Sequence, residues 1–249
     1  MVVIRAAALV ITSLLSLTVA PLAQERPLSE LLTRGEAGPL LENGYARALL
    51  DEMTAIVIES SDEACRTSKR LDAAAVKERL RKLVLQYIPL EMTRTGALVD
   101  SDAYKAGLVK HGGANAPVSL RRFLTDPAFS KIADHLRISV QEAMVDAVVG
   151  HHDRHLLLEG VKLKRPLDPL NSGNDILLKL QDKRLDELNA ELEKLKGGLP
   201  FGATEPIQDL LVAHGLATVD AIRASDLMVD IRSFVPGAHE RLKELCVAG

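Results

Sequence analysis

Residues 126–160 read DPAFSKIADHLRISVQEAMVDAVVGHHDRHLLLEG, and this stretch predicts the longest helix of the chain, from 126 to 159. Asp126 and Pro127 form a typical helix start, because an aspartate caps free backbone N–H groups and proline fits the first helical position. Gly160 supplies a typical stop. Between these ends, apolar residues recur every three or four positions and predict one buried helical face: Phe129, Ile132, Leu136, Val140, Met144, Ala147 and Val148.

Similar spacing predicts further helices on both sides of this one. They fall at about 39–59, 72–89, 101–110, 118–124, 175–196, 205–214, 218–234 and 238–246. Pro89 is expected to end or kink its helix, since proline removes a backbone hydrogen bond. No convincing run of strands is present. We therefore expect an all-α fold, an irregular multi-helix bundle of about seven to nine helices.

The segment 175–196 is the second long helix that the sequence predicts. Its leucines have the three-four spacing of a short heptad seam, formed by Leu178, Gln181, Leu185, Leu188, Leu192 and Leu195. A seam of only three heptads favours packing inside the fold over a free-standing coiled coil.

Composition narrows the classes of function. The net charge is −3, aromatic residues make up 3% of the chain and tryptophan is absent. A nucleic-acid partner normally requires a basic face, and base or sugar stacking requires aromatic side chains, so neither is expected. The chain also lacks the phosphate-binding glycine loop and the G-x-S-x-G nucleophile motif. The sequence therefore favours a protein without enzymatic activity.

The first 23 residues resemble a secretory signal peptide in composition. Arg5 is followed by an uncharged, largely apolar stretch that ends in small residues. Pro21 disfavours cleavage after Ala20 and also disfavours cleavage after Ala23, so both positions stay open, as does an uncleaved anchor. We expect an exported protein, periplasmic or secreted, with no stable membrane span after cleavage.

The expected mature part is a helical domain over 24–249. Two prolines mark an irregular connector at 161–174, which would join subregions at 24–160 and 175–249. The chain has two cysteines, Cys65 and Cys246. In an oxidising compartment an even, small number of cysteines predicts a disulfide, with two unpaired thiols as the alternative.

The segment GHHDRH at 150–155 is the part of the chain whose side chains most suggest a binding site. His151 and His155 are four residues apart on one helical face, a spacing that can hold a divalent metal, and Glu159 continues the line. One ion cannot contact all three, because eight residues of helix rise about 12 Å. A site would use His151 with His155, or His155 with Glu159, and would need ligands from elsewhere.

Two other interpretations of these histidines stay open. They would be structural if they are half-buried at a helix C-terminus, where the helix dipole favours a cationic imidazole. They would be pH-responsive if they titrate near neutral pH. No cofactor other than this divalent metal is suggested by the sequence.

Three functions remain after these exclusions. The sequence favours an exported helical protein that acts through protein contacts, as an adaptor, a chaperone-like factor or an envelope-associated factor. The second is a module that binds a metal or a small ligand, centred on His151 and His155. The third is an exported hydrolase that uses scattered carboxylates. The protein partner and any oligomer are not specified.

Overall fold

The computed structural model describes residues 26–33, 40–167, 175–198, 205–225 and 237–249. These residues form ten α-helices and no β-strand, which confirms the all-α prediction. Ser61 and Val247 form an isolated β-bridge. The predicted signal peptide at 1–23 and residues 168–174 of the predicted connector lie outside the described residues. No helix in the described part of the chain is long and apolar enough to cross a bilayer.

The helices are α1 (Leu28–Leu32), α2 (Gly44–Ser60), α3 (Glu63–Ser68), α4 (Ala73–Asp100), α5 (Asp102–Gly112), α6 (Ala116–Thr125), α7 (Ser130–Leu158), α8 (Asp175–Gly198), α9 (Glu205–Ala224) and α10 (Ala238–Glu244). Two of them, α1 and α3, were missed because five or six residues are too few to show a helical period. Conversely, one observed helix was predicted as two: α9 is continuous, whereas the sequence predicted a break between 214 and 218.

The long helix predicted from the opening stretch is α7. Asp126 accepts a hydrogen bond from the backbone N–H of Ala128 at 2.9 Å, and a 3₁₀ turn at Pro127–Phe129 leads into the helix. The helix ends at Leu158. Gly160 then takes a φ of +76°, a left-handed conformation that favours glycine. The predicted stop at Gly160 is confirmed, whereas Asp126 caps the 3₁₀ turn and the α-helix itself begins at Ser130 without a side-chain cap.

Pro89 lies inside α4, so the predicted helix end at this residue is wrong, and the alternative of a kink stays a prediction. An interior proline typically destabilises a helix by about 3 kcal/mol. Burial on both sides offsets this, since Ile88 before the proline and Leu98 and Val99 after it are buried. Each such side chain contributes about 1.5–3 kcal/mol when fully buried. The uninterrupted α4 is long enough to pass through both parts of the core.

The second long helix is confirmed as α8, but only part of its predicted seam is buried. Leu192 is buried, whereas Leu178 and Leu185 are 51% and 57% exposed. Leu177 is buried instead, on the face that meets α2 and α7. Leu192 and Leu177 are buried by different groups of helices, so the buried face of α8 changes along its length instead of following the heptad seam.

The buried side chains form two clusters. The first cluster joins α2, residues 76–88 of α4, residues 145–156 of α7, and α10. The second cluster joins α1, Leu98 and Val99 of α4, residues 132–133 of α7, and helices α5, α6 and α9. Because α4 runs from the first cluster to the second and α7 runs from the second to the first, these two helices are antiparallel.

A disulfide bond joins Cys65 of α3 to Cys246, which lies two residues beyond α10 and is buried in the first cluster. The backbone N–H of Asp62 donates to the Cys246 carbonyl at 3.0 Å beside it. Within the described residues, α8 and α10 contact α7, and α9 contacts α5. The division into subregions at 24–160 and 175–249 stays a prediction.

Candidate ligand-binding site

A cavity of about 470 Å³ lies between α4, α7 and α9, with Leu32 contributed by α1. Small-molecule sites typically have volumes of about 300–1,000 Å³ and mostly apolar walls. The surface of this cavity is largely apolar, and its apolar lining consists of Leu32, Leu98, Val99, Val140, Ala143, Met144, Ala147, Gly150 and Ile222. On α4 and α7 the cavity occupies the stretch where each helix passes from one cluster to the other.

Helical spacing brings the lining residues of α7 onto one face. From Val140 to Arg154 they recur every three or four positions, which is the separation of neighbours on a helix surface. Glu91, Arg94 and Leu98 repeat the pattern on α4. The cavity therefore has charged groups on two facing helices, with the polar lining formed by Glu91, Arg94, Thr95, Asp146, His151, Arg154, His214 and Thr218.

Glu91 is a carboxyl group inside the cavity wall and is 9% exposed. Burial raises its pKa to about 7, although the Arg94 charge and a hydrogen bond with Thr95 act in the opposite direction. Its Oε2 atom lies 3.9 Å from Nε of Arg94 and has no hydrogen-bond partner among the described residues. Near neutral pH, a substantial fraction of Glu91 therefore carries a proton.

His151 lines the cavity opposite α4. Burial lowers its pKa to about 4, and the positive charges of Arg94 and Arg154 lower it further. The imidazole is therefore neutral near pH 7. Since both guanidinium groups act on the same ring, Arg94 from α4 and Arg154 from α7 form a positive region at this part of the cavity.

His214 lies in the cavity wall on α9. Its Nδ1 atom lies 2.6 Å from the hydroxyl of Tyr104, which is fully buried. Burial raises the pKa of Tyr104 and lowers that of His214 to about 4, so both are neutral. Within the described residues this hydroxyl reaches no acceptor other than Nδ1, so it donates there. A neutral imidazole then carries its hydrogen on Nε2.

The predicted metal ligands lie in different surroundings. His151 lines the cavity, whereas His155 is 3% exposed and its Nε2 atom lies 2.8 Å from Oε1 of Glu159. In the part of the chain that the structure describes, no three His, Cys, Asp or Glu side chains are grouped as metal ligands. The divalent metal at His151, His155 and Glu159 stays a prediction.

His152, between the two predicted ligands, is as buried as His155. Burial lowers its pKa to about 4, assisted by His155 and by the positive charge of Arg241. Neither ring nitrogen has a hydrogen-bond partner among the described residues. The neighbouring Asp153 accepts a hydrogen bond from the backbone N–H of Leu167 at 2.9 Å and so holds the connector against α7 at Leu167.

Sequence reasoning singled out His151 but missed the residues that surround it. Glu91 and Arg94 lie on α4, and His214 lies on α9, more than a hundred residues from its partner Tyr104. Each is a single polar residue on an amphipathic helix and belongs to no motif. The three-residue step from Glu91 to Arg94 was the available signal, and it is common on solvent-facing helices.

No protein-family model, no curated protein and no solved structure matches this chain. The chemistry of the cavity is therefore the main guide to function. An apolar chamber with a few fixed donors can bind and orient a small molecule. Thr218, a hydroxyl in its wall, donates to the carbonyl of His214 in its own helix at 2.9 Å, a local helix contact.

Proposed function

We propose that this chain is an exported binding protein that holds a small, predominantly apolar molecule between α4, α7 and α9. The observation that carries the proposal is the 470 Å³ cavity with its largely apolar wall. Small-molecule sites are typically concave, mostly apolar and of about this size, so the cavity is suited to such an occupant. The proposal places the small-ligand interpretation of His151 above the other two functions.

Export is part of the same proposal. The disulfide between Cys65 and Cys246 suits an oxidising compartment such as the periplasm or the outside of the cell. A carrier of an apolar molecule is useful in such an aqueous compartment, because the molecule alone would leave its apolar surface in water.

The test uses the disulfide-bonded protein and the fluorescent apolar probe N-phenyl-1-naphthylamine. We expect saturable binding at one site and a loss of affinity of at least about tenfold in Ala147→Phe, because the new ring occupies the cavity. Ala74→Phe is the matched control, since Ala74 is exposed on the first turn of α4 and lines no part of the cavity.

Circular dichroism checks that each variant keeps its helices. If Ala147→Phe does not fold, Ala143→Phe replaces it, because Ala143 lines the cavity from a more exposed position. Unchanged probe affinity in a folded cavity variant would contradict the proposal.

Protein contact is a second candidate, favoured by an apolar stripe on α9. Val212, Leu216 and Val219 are 61%, 45% and 42% exposed and recur at helical spacing. Such a stripe is typical of a surface that meets another protein. Sedimentation analysis of the wild type and of Leu216→Lys tests whether a second copy covers it. A monomer in both cases would count against self-association.

A further inference from the structure

The buried His214 has one ring nitrogen, Nε2, without a hydrogen-bond partner among the described residues at the cavity wall. We propose that the occupant of the cavity is a neutral apolar molecule with a carbonyl oxygen, which accepts a hydrogen bond from the Nε2–H of His214. This inference rests on the proposed binding function and names the class of ligand.

The first argument is the direction of the His214 ring. Its Nδ1 atom faces the Tyr104 hydroxyl of α5 at 2.6 Å, and the described lining of the cavity includes no residue of α5. The two nitrogens of an imidazole lie on different edges of the ring, so the side of His214 that lines the cavity carries Nε2. Among the described residues, both ring nitrogens of His152 are fully enclosed without a partner, whereas Nε2 of His214 is open to the cavity.

The second argument is that the donor is fixed before a ligand arrives. The rings of Tyr104 and His214 meet edge to face, with centroids 5.8 Å apart and planes inclined at 75°. Because the buried Tyr104 hydroxyl donates to Nδ1, the hydrogen of the neutral imidazole stays on Nε2. A donor that is already held in place loses little conformational freedom on binding.

The third argument is that neighbouring polar groups are already engaged. The described lining has two buried polar side chains, Glu91 and His214. The Oε2 atom of Glu91 is fully enclosed, and Asp146 accepts a hydrogen bond from the Tyr45 hydroxyl at 2.6 Å. Thr218, one turn along α9, donates to the carbonyl of His214. The Nε2–H of His214 is therefore a buried donor that these contacts leave for a ligand.

A single uncharged donor selects among classes of ligand. A ketone, aldehyde or ester carbonyl accepts the hydrogen bond and needs no other partner. An alcohol can accept it as well, but its own hydrogen then needs a second partner, and a buried unpaired hydrogen costs free energy. An amine would place a donor against a donor, and a carboxylate would bury a full charge beside a neutral group. A neutral carbonyl compound fits best.

The experiment compares four ligands that share one octyl chain: 2-decanone, its isosteric alkene 2-methyl-1-decene, nonanoate and 2-aminodecane. Each is titrated against disulfide-bonded protein loaded with N-phenyl-1-naphthylamine near neutral pH. The double variant Tyr104→Phe, His214→Leu replaces both hydrogen-bond partners by apolar groups and leaves neither unpaired. We expect it to bind 2-decanone about five- to tenfold more weakly and the alkene no more weakly than the wild type does. The wild type should bind both charged ligands more weakly than 2-decanone.

Tyr104→Phe alone tests Tyr104 as a positioning residue. Without the hydroxyl, the imidazole hydrogen can move to Nδ1, so the preference for 2-decanone over the alkene should fall. An equal weakening of both ligands would contradict the fixed tautomer and overturn the inference. His111→Leu is the matched control, since His111 of α5 lies 2.9 Å from Asp220 of α9 and lines no part of the cavity. It should leave the preference unchanged.

Nuclear magnetic resonance of the wild type keeps the test independent of how the double variant folds. In protein with ¹⁵N-labelled histidine, the Nε2–H signal of His214 is assigned by its change in Tyr104→Phe. This signal should shift when 2-decanone binds, because its hydrogen enters a new hydrogen bond. The alkene should displace the probe without that shift.

The outcomes separate this inference from the function on which it rests. Equal losses of ketone and alkene affinity in the double variant would overturn the carbonyl assignment and leave the apolar binding function intact. So would tighter binding of nonanoate or 2-aminodecane than of 2-decanone, an equal loss of preference in His111→Leu, or bound 2-decanone without the shift. If the probe and all four ligands fail to bind the wild type, the proposed function fails, and the carbonyl assignment fails with it.

Discussion

The first cluster is closed by a covalent bond, whereas the second is closed by helices that approach each other at small residues. In the first, the disulfide holds α3 to the end of α10, and Glu142 of α7 receives two hydrogen bonds from Arg184 of α8. In the second, α5 packs on α9 so closely that a Cβ at Gly107 would lie 2.9 Å from the Cα of Ala217.

Because of this difference, the two clusters should respond differently to reductant and to changes in side-chain volume. A cross-link restricts the unfolded chain, so its contribution depends on redox conditions. Close helix packing depends on side-chain volume and is indifferent to reductant. The cavity lies at the junction of the two clusters. Neither cysteine lines it, whereas Ala217 is the neighbour of Thr218 in its wall, so the close packing of α5 on α9 bears on the cavity more directly than the disulfide does.

Removal of the disulfide should have the largest effect and should act on the first cluster. The bond joins residues separated by 181 positions in sequence, and loss of such a native cross-link typically lowers the free energy of unfolding by about 4 kcal/mol. Urea unfolding of the Cys65→Ser, Cys246→Ser double variant measures this loss. Reductant should destabilise the wild type and leave the double variant unchanged; equal sensitivity of both would rule out the bond as the cause.

Gly107→Ala should have the next largest effect and should act on the second cluster. Alanine normally stabilises a helix relative to glycine, but here the new methyl group meets the backbone of Ala217 and forces the two helices apart, for a loss of about 2 kcal/mol. Gly215→Ala on α9 is the matched control, because nothing lies within 4 Å of its added Cβ. It should stabilise by up to about 1 kcal/mol.

Thermal or urea unfolding separates the two glycine variants. A gain in stability for Gly107→Ala would show that α5 and α9 do not pack as closely as the structure has them. Reductant should not change the difference between Gly107→Ala and the wild type, because the disulfide belongs to the first cluster.

Glu91→Gln should have the smallest effect on stability. The effect should depend on pH and be confined to the junction of the two clusters. The folded protein raises the pKa of Glu91 from 4.5 to about 7, so it binds this proton more tightly than the unfolded chain does. Stability contributed by the neutral carboxyl is therefore present below about pH 4.5 and is lost as pH rises towards 7. The variant should gain about 2 kcal/mol above neutral pH and little under acid conditions.

Urea unfolding at acid and alkaline pH measures this gain. Glu78→Gln is the control, since Glu78 lies on the same helix and is exposed. A pH-independent difference between Glu91→Gln and the wild type would show that desolvation of the carboxyl is not the cause.

The sequence predicted those parts of the fold that local signals control. Asp126 and Gly160 mark the ends of the α7 region because capping and left-handed backbone are local properties. The predicted helix end at Pro89 was wrong for the opposite reason. The free-energy cost of a proline inside a helix is local, and it is outweighed by the burial of side chains of the same helix against residues distant in sequence. The exposure of Leu178 also depends on the direction in which neighbouring helices lie, which a heptad pattern does not specify.

The candidate site was less predictable than the fold. His151 stood out because its neighbours in sequence are also polar and titratable. The pKa values of Glu91 and His214 shift only when other helices bury these residues, since desolvation is the first cause of both shifts. A single sequence carries the pattern within each helix and does not specify which helices face one another.

The bond between Cys65 and Cys246 has a topological consequence as well as an energetic one. It turns residues 65–246, which include α4 to α10, into a covalent ring from which α1 and α2 extend as a tail. A single peptide-bond cut anywhere in this ring opens it without releasing a fragment. The nicked protein would migrate as one chain until the disulfide is reduced, and a protease that severs one loop would leave both walls of the cavity tethered.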